Sequence, residues 1–136
     1  MIKEKDVINL KVPFPDISSG LARVIHMYIC VRNDKEALFV KSQTYKPRLL
    51  TLVNNSIVEE SDINRNPFSK KTLIDLDKEF HISKDLVISK DSLCRNRPDV
   101  CDELFAEINQ KIIEPNHEML NEQLLLTLNP DYLSTR

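Results

Sequence analysis

Val24-Ile25-His26-Met27-Tyr28-Ile29-Cys30-Val31, residues 24–31, is apolar on odd and even positions alike, with His26 its one interruption. A strand with one face in water alternates apolar and polar residues, so this density predicts a central strand covered on both faces. At eight residues the run is far too short to cross a bilayer as a helix. On the amino-terminal side, Ile8, Leu10 and Val12 alternate with Asn9 and Lys11, the two-residue period of a half-buried first strand. Pro13 and Pro15 stop that ladder because proline has no N–H to donate, and Asp16 to Gly20 reads as a loop.

Asn33-Asp34 marks a turn after the central strand, Ala37 to Lys41 a third strand, and Arg48 to Val53, beyond Pro47, a fourth. Asn54 to Ser69 is polar and rich in breakers, the mark of a long excursion or a weak hairpin. Thr72 to Asp77 resumes alternation, with Ile74, Leu76 and Phe80 expected on one side and Asp75, Asp77 and Glu79 on the other. The period then changes: Pro98 suits a first helical position, and Val100, Leu104, Phe105, Ile108 and Ile112 recur at helical spacing. Beyond Pro115, Met119, Leu120, Leu124 and Leu128 give a second, acidic amphipathic helix. Strands followed by helices, without a βαβ rhythm, predict an α+β fold: a small, mostly antiparallel sheet or SH3-like β-barrel closed by C-terminal helices.

The chain has 136 residues, 41% of them hydrophobic and 29% charged, enough for one buried core without staples. Its single glycine, Gly20, excludes the glycine-rich nucleotide loops, which need several. Cys30, Cys94 and Cys101 cannot all pair within one chain and match no zinc spacing, which fits a reducing compartment; a cytoplasmic protein without a membrane segment, metal or cofactor is expected. The formal charge of −2 is unevenly spread. Residues 1–71 hold 12 Lys/Arg against 8 Asp/Glu, and residues 99–136 hold 2 against 8, so a polyanion would meet the first half. There Lys41, Lys46 and Arg48 cluster with Arg32 and Lys35 around Tyr45, a pattern of phosphate-holding cations beside a stacking ring that suits single-stranded RNA. An ordinary lysine-rich surface has the same composition. His26 and His81 can move protons near neutral pH. His26, among apolar neighbours, reads as a core histidine, and His81, after the carboxylate strand, as the better candidate.

Two stretches resemble the MazF/PemK-like toxins, small ribonucleases of bacterial toxin–antitoxin modules. One runs from Asp6-Val7-Ile8 through Pro13-Phe14-Pro15-Asp16 to Ser19-Gly20 and Arg23; the other is Lys71-Thr72-Leu73-Ile74-Asp75-Leu76-Asp77, continuing through Ile82-Ser83-Lys84-Asp85-Leu86. The resemblance implies a family domain over residues 1–114, with residues 115–136 an acidic helical extension packed on it. It places Arg23 on the family's catalytic arginine, where the guanidinium fork would clamp the scissile phosphate. Ser42, with Thr44 as its alternative, falls on the hydroxyl beside that phosphate, Asp77 on an acidic position some members use, and Ser19 and Gly20 in the loop near RNA. Val24 departs from the family's proline and Asp75 from an arginine, departures compatible with a scaffold that has lost its chemistry.

The expectation is therefore an endoribonuclease toxin that cleaves mRNA by metal-independent 2′-OH attack, forms a homodimer and is neutralised by an antitoxin. A catalytically silent RNA- or protein-binding relative is the alternative. CcdB-like gyrase poisons share the scaffold, but they are known for a tryptophan near the carboxyl end, and this chain has none.

Overall fold

The computed structural model describes residues 2–136. Its main sheet has the order β1 (Val7–Leu10), β2 (His26–Asn33), β3 (Glu36–Thr44), β5 (Thr72–Ser83) and β4 (Ser56–Glu59), all antiparallel. The long β5 carries two strands end to end on its outer edge. Antiparallel β4 pairs with residues 72–75, and parallel β7 (Asn116–Met119) with residues 78–81. The sheet is thus mixed and open, and the expected barrel does not close.

The two parities of β2 enter two separate cores. Tyr28 and Cys30 join Ile8, Leu10, Phe39, Phe80 and Ile82 on one face, covered by Leu125 of α4 (Glu122–Leu128) and Leu133 of β8 (Leu133–Thr135). Ile29 and Val31 join Val7, Leu38, Val40, Ile74 and Leu76 on the other, covered by Leu104 and Ile108 of α3 (Asp102–Lys111). The i, i+4 spacing of that leucine and isoleucine makes one apolar stripe, and the Cys101 sulfur caps the helix by accepting from the Leu104 N–H at 3.4 Å. β8 pairs with β6 (Leu86–Ile88) in a two-stranded ribbon. Residues 92–99 run along the free edge of β1 and bridge it at Ile8–Leu93 and Asp6–Asp99.

Several sequence expectations change. Ile74 and Leu76 do not share a face with Phe80. Between the pairs Phe39–Phe80 and Lys41–Asp75, β3 advances two residues and β5 five, and this odd excess turns the rest of β5 over. Arg48–Val53 contains the helical turn α2 (Leu49–Leu52) instead of a fourth strand, and the fourth strand lies inside the polar excursion. A stretch as short as Leu49-Leu50-Thr51-Leu52 satisfies either period; Pro47 favours a first helical turn and leucine favours helix. Helix α3 begins at Asp102 rather than Pro98, and Met119 belongs to a strand rather than to the last helix.

Residues 115–136 supply β7, α4 and β8, two of which reach the first core. Asn129, 4% exposed, fastens this segment to the end of β1: its side chain accepts from Lys11 N–H at 2.8 Å and donates to the Lys11 carbonyl at 2.8 Å and the Leu125 carbonyl at 2.9 Å. No helix among the described residues is long and apolar enough to cross a membrane.

Candidate functional site

At the Thr44/Thr72 end of the sheet, β2, β3 and β5 run out beyond the helix-covered core. Their ends, with α2 and the loop Phe68–Lys70, enclose a cleft of about 360 Å³. Its floor continues the α3-covered face of the sheet through Met27, Ser42 and Thr72, with Phe68 and Leu49 as apolar walls. Lys46, Arg48 and Lys70 line it, together with His26, Thr44 and Ser69, and no Asp or Glu is among the described lining residues. Among the described residues the three cationic side chains make no ion pair and no hydrogen bond. Three unpaired positive charges in a concavity without carboxylates give a local field that attracts anions.

His26 enters this cleft. Its Nδ1 lies 2.9 Å from the Val24 carbonyl oxygen, which only accepts, so Nδ1 carries the hydrogen in that bond. The pinned tautomer leaves Nε2 as the basic nitrogen. The core reading of His26 fails because β2 extends past its two cores at this end, where the ring is half-buried.

The other sequence candidates divide. Arg23 ends α1 (Gly20–Arg23), is exposed, and directly precedes the lining residue Val24; it is not itself in the lining. Ser42 is in the cleft floor but 2% exposed, and its hydroxyl donates to the Met27 carbonyl at 2.9 Å, a cross-strand structural bond. Thr44 stands exposed at the cleft with no hydrogen bond from its hydroxyl among the described residues.

Asp77 is elsewhere: its carboxylate accepts from the Asn54 and Asn55 N–H groups at 2.9 and 2.8 Å, fixing the entry to β4. His81 is at the other end of β5: it pairs with Leu38 where Thr72 pairs with Thr44, and those six residues of β3 span roughly 20 Å at strand rise. Neither carboxylate nor imidazole joins the cleft, because an extended strand separates its ends.

Of the expected RNA-binding residues, Lys46 and Arg48 are in the cleft. Tyr45 lies beside it, with the Lys71 ammonium 4.7 Å from its ring centroid. Lys41 is turned away and pairs with Asp75 at 3.6 Å, so this aspartate of the polar side of the alternation is buried in an ion pair. Ser19 caps α1 by accepting from the Ala22 N–H at 3.3 Å. Gly20 begins that helix without a left-handed backbone and with open space around a would-be Cβ, so no ligand approach demands a glycine there. Lys70 was missed. The Lys70-Lys71 pair is visible in the sequence, but only the pairing of Thr44 with Thr72 brings Lys70 opposite Lys46.

Compared with known proteins, the chain matches no protein family, no curated protein and no solved structure.

Proposed function

We propose that this cleft binds the phosphates of single-stranded RNA and that the protein is a metal-independent endoribonuclease of MazF/PemK-like type. The observation that carries the reading is the set Lys46, Arg48 and Lys70, three cations without partners, beside a histidine whose free nitrogen is Nε2. Arg48 offers a planar fork to a phosphate, and the lysines offer point charges. His26 Nε2 takes the proton of a ribose 2′-OH; the 2′-oxygen bonds to phosphorus, and the phosphorus–5′-oxygen bond breaks. The 5′-oxygen then regains the proton from the imidazolium, leaving a 2′,3′-cyclic phosphate and a 5′-hydroxyl. Tyr45 at the rim supplies a face for base stacking. Arg23 reaches the scissile phosphate from the adjoining helix end in this reading, and Thr44 supplies the hydroxyl in place of the occupied Ser42.

Homodimerisation and capture by an antitoxin belong to the same proposal. Val24 and Ile25 in the lining, and Leu50 and Leu52 on the helix of lining Leu49, are 59%, 47%, 51% and 67% exposed, apolar surface suited to a partner beside the cleft. The second reading, an RNA-binding protein without cleavage, is favoured by the commitment of the Ser42 hydroxyl to Met27.

The test is incubation of the purified protein with a long single-stranded RNA in EDTA, beside His26→Gln and Arg48→Ala. Cleavage by the parent and its loss in both variants supports the nuclease. Retention of RNA on a filter without cleavage supports the binding protein, and neither cleavage nor retention refutes both.

A further inference from the structure

β4 ends the sheet with an unpaired outer edge. Its pairing with β5 carries the bond from the Leu76 N–H to the Asn55 carbonyl at 2.9 Å. Odd-numbered residues of β4 therefore bond to β5, and the backbone groups of Ser56 and Val58 point outward. Among the described residues these N–H and C=O groups have no hydrogen-bond partner. At the opposite edge, residues 92–99 cover β1; β4 carries neither a lysine nor a proline to blunt it. A groove of about 530 Å³ runs beside this edge, lined by Ile57 and Val58 of β4 and by Glu107, Gln110 and Lys111 of α3. Two contacts fix the direction of the helix along the groove. At one end Asn55 Nδ2 donates to the Lys111 carbonyl at 2.6 Å; at the other Arg65 joins Glu59, at 2.8 Å, to Glu107, at 3.5 Å. The helix thus runs opposite to β4, with Lys111 toward Asn55 and Glu107 toward Glu59. Lys111 forms no ion pair, and the Gln110 side chain no hydrogen bond, among the described residues.

We propose that β4 of a second copy of the chain fills this groove, joining two sheets across a two-fold axis at Ile57. Outward-pointing backbone groups call for an extended segment, because only a strand offers donors and acceptors at the same spacing. In the antiparallel register that sets Ile57 against its own copy, Ser56 of each chain lies opposite Val58 of the other. Each such pair exchanges both N–H and C=O bonds, so the outward groups of Ser56 and Val58 are satisfied in both chains. Ile57 points to the helix side of the sheet, as its packing against the α3-covered core shows, so the isoleucine of the second copy enters the groove. The charges on α3 select this occupant. A two-fold axis reverses the order of groups along the groove, so Lys111 of one copy stands level with Glu107 of the other, and the symmetry repeats the contact. Gln110, between them, stands level with its own copy. One surface therefore carries the complement of itself, which an unrelated extended peptide has no cause to match. The interface leaves the apolar surface around Leu50 and Leu52 to the antitoxin, and it does not rest on the RNA reading.

The test is sedimentation equilibrium of the full-length protein across micromolar concentrations, beside Val58→Pro, Glu107→Lys, Lys111→Glu and the double variant Glu107→Lys/Lys111→Glu. Val58→Pro removes an outward N–H and leaves the bonds of Ile57 and Glu59 to β5 in place; circular dichroism checks that the fold is kept. Expected are a dimer for the parent and a monomer for Val58→Pro. Each single charge variant should raise the dimer dissociation constant at least about 10-fold, because it sets like charges level with each other twice in one interface. The double variant should return the constant to within about threefold of the parent, since exchanging both charges recreates both pairs. Damage to the fold by either single substitution would not be repaired by the second. Leu52→Asp, on the apolar surface beside the cleft, should leave the dimer intact. A parent that stays monomeric overturns the proposal, as does a dimer that survives Val58→Pro or a double variant that associates no better than the single ones. Filter retention of RNA by monomeric Val58→Pro reads the cleft separately, so failure of this interface and failure of the RNA reading are told apart.

Discussion

Arg48→Ala should reduce the salt dependence of RNA binding by a definite amount. Each cation that neutralises a phosphate of a single strand releases condensed counterion and contributes about −0.7 to the slope of log K against log salt. Lys46, Arg48 and Lys70 line the cleft without partners, so a strand engaging all three has a slope of about −2.1. Raising monovalent salt fourfold, from about 50 to about 200 mM, then weakens binding by about 20-fold. In Arg48→Ala the slope falls to about −1.4 and the fourfold step costs only about sevenfold. Fluorescence anisotropy with a labelled 2′-O-methyl oligonucleotide, which binds but offers no 2′-OH for attack, measures the slope without interference from cleavage. Lys41→Ala should leave the slope unchanged, because Lys41 is already paired to Asp75. A parent slope near zero, or equal slopes for the parent, Arg48→Ala and Lys70→Ala, refutes the assignment of the cleft to a nucleic acid.

Three further outcomes concern stability. The Tyr28 hydroxyl is buried without a partner among the described residues, so Tyr28→Phe removes an unmade hydrogen bond and should stabilise the protein by about 1 kcal/mol in urea unfolding; destabilisation of that size would show that the hydroxyl has a partner. Asn129→Ala removes two hydrogen bonds between the C-terminal segment and the end of β1, and a third to Leu125 within that segment, and should cost about 3 kcal/mol; a cost below about 1 kcal/mol would mean that Leu125 and Leu133 hold the segment unaided. Burial pushes the Cys30 thiol up to about 12 and the Cys94 thiol up to about 11. An acid whose folded pKa is raised contributes stability that is complete below its unfolded pKa, about 8.5, and is lost as pH rises toward the folded value. The urea midpoint should therefore fall between about pH 9 and pH 11, less steeply in Cys94→Ala, and folded protein at pH 8 should resist thiol reagents; rapid labelling of both thiols at pH 8 would contradict their burial.

The central strand and helix α3 are legible from their own residues. In β2 the residues Met27 to Val31 are apolar on both parities and leave no low-cost exposed face, although the run's first two residues, Val24 and Ile25, lie outside the strand and are exposed. In α3 the i, i+4 pair Leu104 and Ile108 selects one stripe, and both signals are local. β7 is different. Asn116-His117-Glu118-Met119 has no strand-like alternation and little burial, and it is extended because the outer edge of β5 has unpaired backbone groups to satisfy. The bulge in β5 is equally invisible in sequence, since even numbering from Ile74 to Ile82 looks like one face until the pairing with β3 shows the odd excess.

The cleft was legible in part. Lys46 and Arg48 stand out as cations near a tyrosine, whereas Lys70 joins them across a strand pairing, and His26 has apolar sequence neighbours but lies where β2 outruns both cores. The sequence by itself determined that this chain is an α+β domain with a two-sided central strand, because hydrophobic period depends on residues a few positions apart. Tertiary structure alone decided which cations share a concavity, which face each half of β5 presents, and that Glu107 and Lys111 flank the free edge of β4. Those are distances between segments as much as 56 residues apart, and no local period encodes them.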